Sequence, residues 1–458
     1  MLTRLRLKNI KSWADTEDVA LGPITGIFGT NSSGKTSLLQ ALLLMKQTAD
    51  SSDRGLVFHF GDKTTPVDLG DFRSVVYGHI TDAELGVSLG WKATKPFEVR
   101  DTKSANRTKV SSDLLQFSVR VTQASVGRTQ RLIVDEMSYR VGDAAFGMRR
   151  QEKSKTKYEY ELFADGTEFR FIHSVGRKWP LPPPVKNYGF PDQVRAYFQN
   201  AGFVADLELA LEERLRHIYY LGPLRAYPER RYTWGGTQPI DMGRAGESVV
   251  DALLASQERG ETISPGYKQR RLTLEAYVAQ WLQTLGLIHE FHVVPVGEGN
   301  QIFQVKVRKS PGSPEVLITD VGFGVSQILP VLVLCFYVPE GSTVILEQPE
   351  IHLHPAVQSG LADVLIDAWK KRRVQILLES HSEHLLRRLQ RRIADESLKS
   401  NDVALYFCET GPKGSKLTSL NIDLFGNISN WPVDFFGDQF AELVATHEKR
   451  LQRKRGSG

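Results

Sequence analysis

Cysteine is nearly absent from this 458-residue sequence: Cys335 and Cys408 stand alone, each in an apolar run (VLVLCFYV and VALYFC). That excludes a disulfide framework and a thiolate metal site, and it reads as two reduced core thiols of a cytoplasmic protein. Uninterrupted apolar runs of the ~18 residues needed to cross a membrane are also missing. The nearest, Ile328 to Val338, is short and reads as a buried helix. The opening MLTRLRLKNI alternates apolar and basic residues like a strand and lacks the apolar core of a secretory leader. Charge of one sign is scarce: 58 Lys and Arg against 53 Asp and Glu leave a formal +5, too little over this length to mark a nucleic-acid binder by itself. Sustained heptads and internal repeats are absent as well, which excludes a long coiled-coil arm.

What is present is an ordinary globular composition, 41% hydrophobic and 24% charged, enough to fill the cores of one large or two to three ordinary domains. Residues 1–82 read as strand, loop, strand, glycine-rich loop, long helix and a turn-rich stretch ending VDLGDF. From 83 to 178 the period shortens to that of half-buried strands, as in Leu115, Phe117, Val119 and Val121, or Tyr158, Tyr160 and Leu162. The proline cluster WPLPPPVKN (179–187) reads as a stiff linker. Helical spacing follows over Phe203 to Leu215, Ser248 to Ser256 and Leu272 to Leu285, and strands resume at Phe291 and Ile302. From Val316 to Cys408 strand and helix alternate, the pattern of an α/β layer.

Chemistry concentrates in a few segments. Gly29-Thr30-Asn31-Ser32-Ser33-Gly34-Lys35-Thr36 matches G-x-x-x-x-G-K-[ST], between an apolar strand and a helix that opens at Ser37. Such glycines let the backbone of Asn31 to Ser37 wrap closely enough to point N–H groups at phosphates, with the helix dipole behind them. Lys35 then reaches the β and γ phosphates and Thr36 offers a hydroxyl to Mg²⁺. Far downstream, the apolar strand Thr343 to Leu346 ends in Glu347, placed to hold Mg²⁺ directly or through water. The next α/β unit ends Glu379-Ser380-His381-Ser382, where His381 can hydrogen-bond a γ-phosphate or the attacking water. Between them, Asp320-Val321-Gly322-Phe323-Gly324-Val325-Ser326-Gln327 is a glycine turn opening an apolar helix just ahead of the acidic strand.

With these motifs in this order, the chain resembles the ABC-type ATPases of the SMC and OLD (overcoming lysogenization defect) branches. The segments NSSGKTSLLQALLL, VGFGVSQILPVL, EQPEIHLHPAVQ, SHSEHLLRRL, YYLGPLRAYPERRY and GNISNWPVDFFGD are similar to bacterial members found in defence and repair operons. The likeness covers both ends of the chain and hardly touches the β-rich stretch. It implies an α/β ABC/SMC-type P-loop ATPase head built from residues 1–82 and 290–425. A β-rich insertion (83–178), a helical arm (179–289) and a C-terminal docking segment with a basic tail (426–458) complete the expected organisation. It further implies ATP and Mg²⁺ as cofactors, with Thr36 and Glu347 as metal ligands. Gly322, Gly324 and Ser326 are expected to contact the γ-phosphate of ATP held by a second copy, making a homo-oligomer through an ATP sandwich. OLD nucleases carry a Toprim domain after the ATPase; the stretch after His381 shows no Asp-x-Asp motif in a βα context. The expected role is therefore the sensor or regulatory subunit of an anti-phage defence system, acting through a separate nuclease or toxin. A DNA-binding repair ATPase and a non-hydrolysing ATP-gated scaffold are the alternatives; nucleic acid is not required and no membrane contact is expected.

The pattern departs from the family at three points. The usual Asp-Glu pair is Glu347-Gln348 here, and glutamine orients water but cannot accept a proton. Glu347, Gln348, Glu350 and His381 are thus the catalytic candidates, with slow hydrolysis expected because Glu350 stands two residues off. His354 replaces the common D-loop aspartate, and no Q-loop glutamine stands near Asp68 to Asp71. Two basic regions are left over. Arg225, Arg230 and Arg231 alternate with Tyr227, Tyr232 and Trp234, and read first as a packed loop paired to Glu229 and Glu247, with Arg225 the choice for an arginine reaching a partner's nucleotide. Arg387, Arg388, Arg391 and Arg392 recur on one helix and read as a solvated face that could also meet DNA.

Overall fold

The computed structural model describes residues 1–100, 109–126, 129–154, 157–176, 179–297, 301–412 and 414–432. The basic tail at 449–455 and most of the expected docking segment lie outside the described residues.

A six-stranded sheet forms the centre, in the order Ile218–Leu221, Thr343–Glu347, Gln375–Glu379, Ile24–Gly29, Val403–Gly411, Gly414–Ser419. The first five are parallel neighbours and the last closes an antiparallel hairpin. Every residue of Thr343–Glu347 and of Gln375–Glu379 is buried, which is why they read as continuous apolar runs. Their side chains still alternate between two faces. Val344, Leu346, Ile376, Leu378, Ile24 and Phe28 enter one core, together with residues of the helices Val249–Glu258, Leu274–Thr284, Phe323–Tyr337, Pro355–Arg372 and Glu383–Ala394. Ile345, Leu377, Ile27 and Cys408 enter the other, with the helices Lys35–Asp50 and Val204–Arg216.

That second core is roofed by an antiparallel sheet. The strands expected as an insertion join the N-terminal strand directly: Leu85–Arg100 pairs along Leu2–Ile10, and Lys109–Val126, Thr129–Val141, Ala144–Ser154 and Lys157–Asp165 add outward in succession. The sheet therefore runs across the expected boundary between 82 and 83. Alternation drives this, because Leu5, Leu7, Val87, Leu89, Phe117, Val119, Met137 and Tyr139 are all buried on it. The proline cluster is not a free linker either. Leu181, Tyr188 and Phe190 are buried, and Lys186 Nζ donates to the carbonyls of Ala49 and Ser51, both at 2.7 Å. These oxygens lie at the C-terminal end of Lys35–Asp50, where helix carbonyls lack partners and a cation is favoured.

One side chain fastens the two sheets together. The fully buried Gln375 accepts the Leu2 N–H at 2.9 Å and donates to the carbonyls of Leu2 (2.7 Å) and Gly22 (2.9 Å). Its amide oxygen also accepts from the Thr343 hydroxyl at 3.0 Å. Gln375→Leu keeps the volume but leaves these buried groups unpaired. The expected loss is about 3 kcal/mol, read as a lower denaturant midpoint at unchanged slope; an unshifted midpoint would remove Gln375 from this role.

Candidate functional site

The carboxyl ends of the parallel strands open on one side, where α/β sheets hold their ligands. Two glycines shape the loop there. Gly29 has φ 139°, and a Cβ on it would lie 2.0 Å from the Cys408 carbonyl oxygen. Gly34 has φ 91°, and its Cβ would meet the hydroxyls of Ser12 and Ser415 at 2.3 and 2.5 Å. Only glycine fits either position. Between them Asn31 and Ser32 are exposed, while Ser33 is buried and donates its hydroxyl to the Thr30 carbonyl at 2.8 Å. Ser37 lies in the first turn of the helix that follows.

Lys35 is buried, 3% exposed, and its ammonium donates to the carbonyls of Gly29 (3.3 Å) and Thr30 (2.7 Å). It also lies 4.0 Å from Glu379 Oε1. Desolvation pulls its pKa below the ordinary lysine value, with the Glu379 charge working the other way. The adjacent Thr36 hydroxyl donates to Glu379 Oε2 at 2.7 Å. Glu379 was not among the residues singled out from the sequence, yet it joins the lysine and the threonine of the loop.

Glu379 pairs in register with Glu347, so two buried carboxylates end neighbouring strands whose backbones stand about 4.8 Å apart. Burial, then repulsion by Glu379, pushes Glu347 up to about 7; the Tyr220 hydroxyl, which hydrogen-bonds it, and the Arg225 charge work against the shift. Burial raises Glu379 as well, against the Thr36 hydrogen bond and the Lys35 charge. Gln348 adopts a left-handed φ of 43°, donates its backbone N–H to the Glu379 carbonyl at 2.9 Å and bonds that carboxylate with its side chain. Glu350, also buried, swings to the neighbouring strand end, where Oε1 accepts the His381 N–H at 2.6 Å. Burial is the main cause of its raised pKa. His381 presents an exposed ring, held below the ordinary histidine value by partial burial and then by the Lys35 charge.

Lys35, Thr36, Glu347, Gln348, Glu350 and His381 are thus brought to one end of the sheet, and the threonine hydroxyl donates to Glu379, a carboxylate not singled out from the sequence. Sequence did carry a signal: QILLE closes on a glutamate as TVILE does, and both are buried strands. Tyr220, the other residue missed, lies in the segment YYLGPLRAYPERRY, where attention fell on the arginines. Two further expectations resolve into local structure. His354 Nδ1 accepts from Ala356 N and caps the helix Pro355–Arg372, and Asp71 caps the short helix Phe72–Val75.

The glycine-serine turn differs from expectation in one respect. Gly322 caps the helix Phe323–Tyr337 and is exposed, with nothing within 4 Å of a built Cβ, and Gly324 meets only Leu287 at 3.8 Å. Ser326, however, is only 7% exposed, and its hydroxyl donates to the Phe323 carbonyl at 2.8 Å. A serine in a first helical turn commonly closes on a carbonyl three residues back, so this hydroxyl points into its own helix. What faces outward is the helix N-terminus, with Phe323 between Tyr227 and His352 at ring separations of 5.8 and 5.5 Å.

Fold and site together define the class: an α/β protein with a P-loop nucleotide site at the carboxyl ends of a mostly parallel sheet. The chain belongs to the family described as "AAA domain, putative AbiEii toxin, Type IV TA system", whose sequence model matches residues 112–387. A second model, described as "AAA domain", matches 4–163 and spans the phosphate loop, and one described as "Protein of unknown function (DUF3696)" matches 398–445. No curated protein matches the chain. Solved structures similar to it include the SMC head domain from Thermotoga maritima, at 10% identity over 92% of this chain and 99% of that one, TM-score 0.40. Another is an SmcHead bound to the C-winged helix domain of ScpA, at 11% identity over 92% and 98%, TM-score 0.44. A third is an Smc head domain with an extended coiled coil bound to the C-terminal domain of ScpA, derived from Pyrococcus furiosus, at 10% identity over 92% and 96%, TM-score 0.43.

The carboxylate shifts have a measurable sign. Glu347 binds its proton more tightly folded than unfolded, so its contribution is stabilising below the ordinary carboxylate pKa and is lost as pH rises toward about 7. Nucleotide-free protein should therefore lose thermal stability between about pH 4.5 and 7.5, and Glu347→Gln should flatten part of that slope. Calorimetry across the window checks this; identical slopes for parent and variant would contradict it.

Proposed function

We propose that this protein is an ATP-binding and ATP-hydrolysing, Mg²⁺-dependent ATPase that works as a dimer and passes its nucleotide state to a separate effector in a bacterial anti-phage defence system. The observation that carries the ATPase reading is the contact of Lys35 and Thr36 with one buried carboxylate, Glu379, at the mouth of the phosphate loop. Lysine bonded to its own loop carbonyls is stored where phosphate oxygens can take it over. The residues also fit a divalent cation: Glu347 Oε1 is a buried acceptor without a partner among the described residues. Thr36, Glu379 and Glu347 would hold Mg²⁺, which neutralises charge on the transferring phosphoryl group.

Proton acceptance falls to Glu347 or Glu350, since Glu350 Oε2 is likewise unpartnered among the described residues. Gln348 is fastened to Glu379 and acts as a positioning residue, which favours slow turnover. His381, held toward its neutral form, offers one ring nitrogen to donate and one to accept toward the γ-phosphate or water. The description of the family, which names a putative toxin and a toxin–antitoxin system, supports a partner protein in its working unit.

Part of the basic surface that motivated the DNA-binding alternative is engaged within the chain. Arg388 and Arg392 both bind Asp363, Arg387 binds Glu383, and Lys371 binds Asp367. Arg372 donates to the Val338 carbonyl at 2.8 Å. Arg388 and Arg392 fasten Glu383–Ala394 to Pro355–Arg372.

Lys35→Ala should weaken ATP binding by about ten- to a hundredfold, removing the charge on the β and γ phosphates. Glu347→Gln should spare much of the binding and depress Mg²⁺-dependent turnover. Unchanged affinity in the first or parent-level turnover in the second would overturn the respective assignment. For the cross-subunit site, Ser326 is a poor probe because it is buried in its own chain. Gly322→Arg has room and an ordinary φ of −59°. It should bind ATP as the parent does while losing ATP-dependent association in sedimentation. A Gly322→Arg protein that still dimerises with ATP would exclude the helix end from the interface.

A further inference from the structure

Arg225 stands just beyond Ile218–Leu221, at the same strand ends as the phosphate site. The backbone holds it on both sides: Gly222 N donates to the Arg244 carbonyl at 2.7 Å and Ala226 N to the Ala245 carbonyl at 2.9 Å. The residue is 7% exposed, and none of Nε, Nη1 and Nη2 has a hydrogen-bond partner among the described residues. The pairings that a packed loop would supply are not made. Glu247 accepts from Ala245 N, and Asp320 is taken by Arg230. The charges that face Arg225 are Glu347 and Glu350, with the Tyr220 phenol beside them.

A guanidinium carries five donors and no acceptor. Burying it without hydrogen bonds is costly, and such groups in folded proteins call for an explanation. Here the same region also holds acceptors without donors, Glu347 Oε1 and Glu350 Oε2. Donors and acceptors that face one another unjoined define what fits between them. The occupant must accept from arginine while bringing a metal or a water to the carboxylates. A terminal phosphoryl group with its metal and attacking water does both. A nucleotide ending at the β-phosphate lacks the part that would meet the guanidinium.

We propose that Arg225 binds the γ-phosphate of the ATP held in its own chain and thereby sets the preference for ATP over ADP. Burial inside its own subunit excludes the other use considered for it, reaching the nucleotide of a partner. The assignment rests on the ATPase reading above and deepens it: three strand ends, and not the phosphate loop alone, read the state of the nucleotide.

The test compares full-length parent, Arg225→Met and Arg225→Lys, titrated with Mg²⁺ plus either ADP or a non-hydrolysable ATP analogue. Arg225→Met should weaken the ATP analogue about ten- to a hundredfold and change ADP affinity less than about threefold. Arg225→Lys should recover part of the difference. The guanidinium makes no hydrogen bond but its charge offsets that of Glu347, so the melting of nucleotide-free Arg225→Met is recorded beside the parent only to show that the variant is folded. Equal loss for both nucleotides overturns the assignment. If the parent prefers the ATP analogue and Arg225→Met keeps that preference, the assignment falls alone. A parent that binds neither nucleotide removes the ATPase reading with it.

Discussion

Two glutamates that end neighbouring parallel strands in register, Glu347 and Glu379, impose the conditions under which the rest of this molecule is arranged. Like charges held side by side and out of water repel strongly, so the site must either keep a proton or surround them with cations and donors. It does some of each. Glu347 is pushed up to about 7, Lys35 and Thr36 lean on Glu379, and Tyr220 bonds Glu347. Phosphate loop and acidic strand are not adjacent in the sheet; Gln375–Glu379 lies between them and carries the carboxylate that connects the two. A divalent cation held between these carboxylates would relieve the repulsion, as the proposed metal-bound nucleotide requires.

Holding those carboxylates dry requires apolar material on both faces of the sheet, and the two cores provide it. One is closed by helices, the other by the antiparallel sheet that begins at Leu2. The β-rich stretch is thus the cover of the nucleotide layer rather than an appendage, and Gln375 joins cover to layer through bonds to Leu2 and Gly22. The buried glutamine lies at the opposite end of the same short strand from Glu379, so one strand carries both the joint and the chemistry.

Much of this was legible in the residues. The phosphate loop, the acidic strand and the histidine strand announce themselves by apolar runs that end in polar chemistry, and the structure brings them to one edge. The strand alternation from Leu85 onward was equally plain, but its partner was not. Alternation fixes which face a residue takes, and says nothing about the strand it pairs with, so the continuity with Leu2–Ile10 could not be read. Glu379 escaped because a motif search weights the histidine that follows it. A signature read as letters does not show that the helical serine Ser326 can satisfy itself on Phe323. Arg225 drew notice as part of a basic and aromatic cluster. Its isolation from Glu229 and Glu247 depends on how the loop is pinned at Gly222 and Ala226, which only coordinates reveal.

The joint at Gln375 has a consequence for the order in which this protein can be made. Its partners Leu2 and Gly22 lie 373 and 353 residues earlier in the chain. The strand Ile24–Gly29 is hydrogen-bonded on both sides by strands from the last quarter of the sequence. A ribosome-bound chain carrying the complete phosphate loop has neither flank in place, and its apolar strand waits without neighbours through most of synthesis. Contacts this distant in sequence form late and slowly and leave strand edges open meanwhile. The phosphate loop therefore gains the strands that flank it only after residues 375–411 have been made, so products truncated before them lack a completed loop.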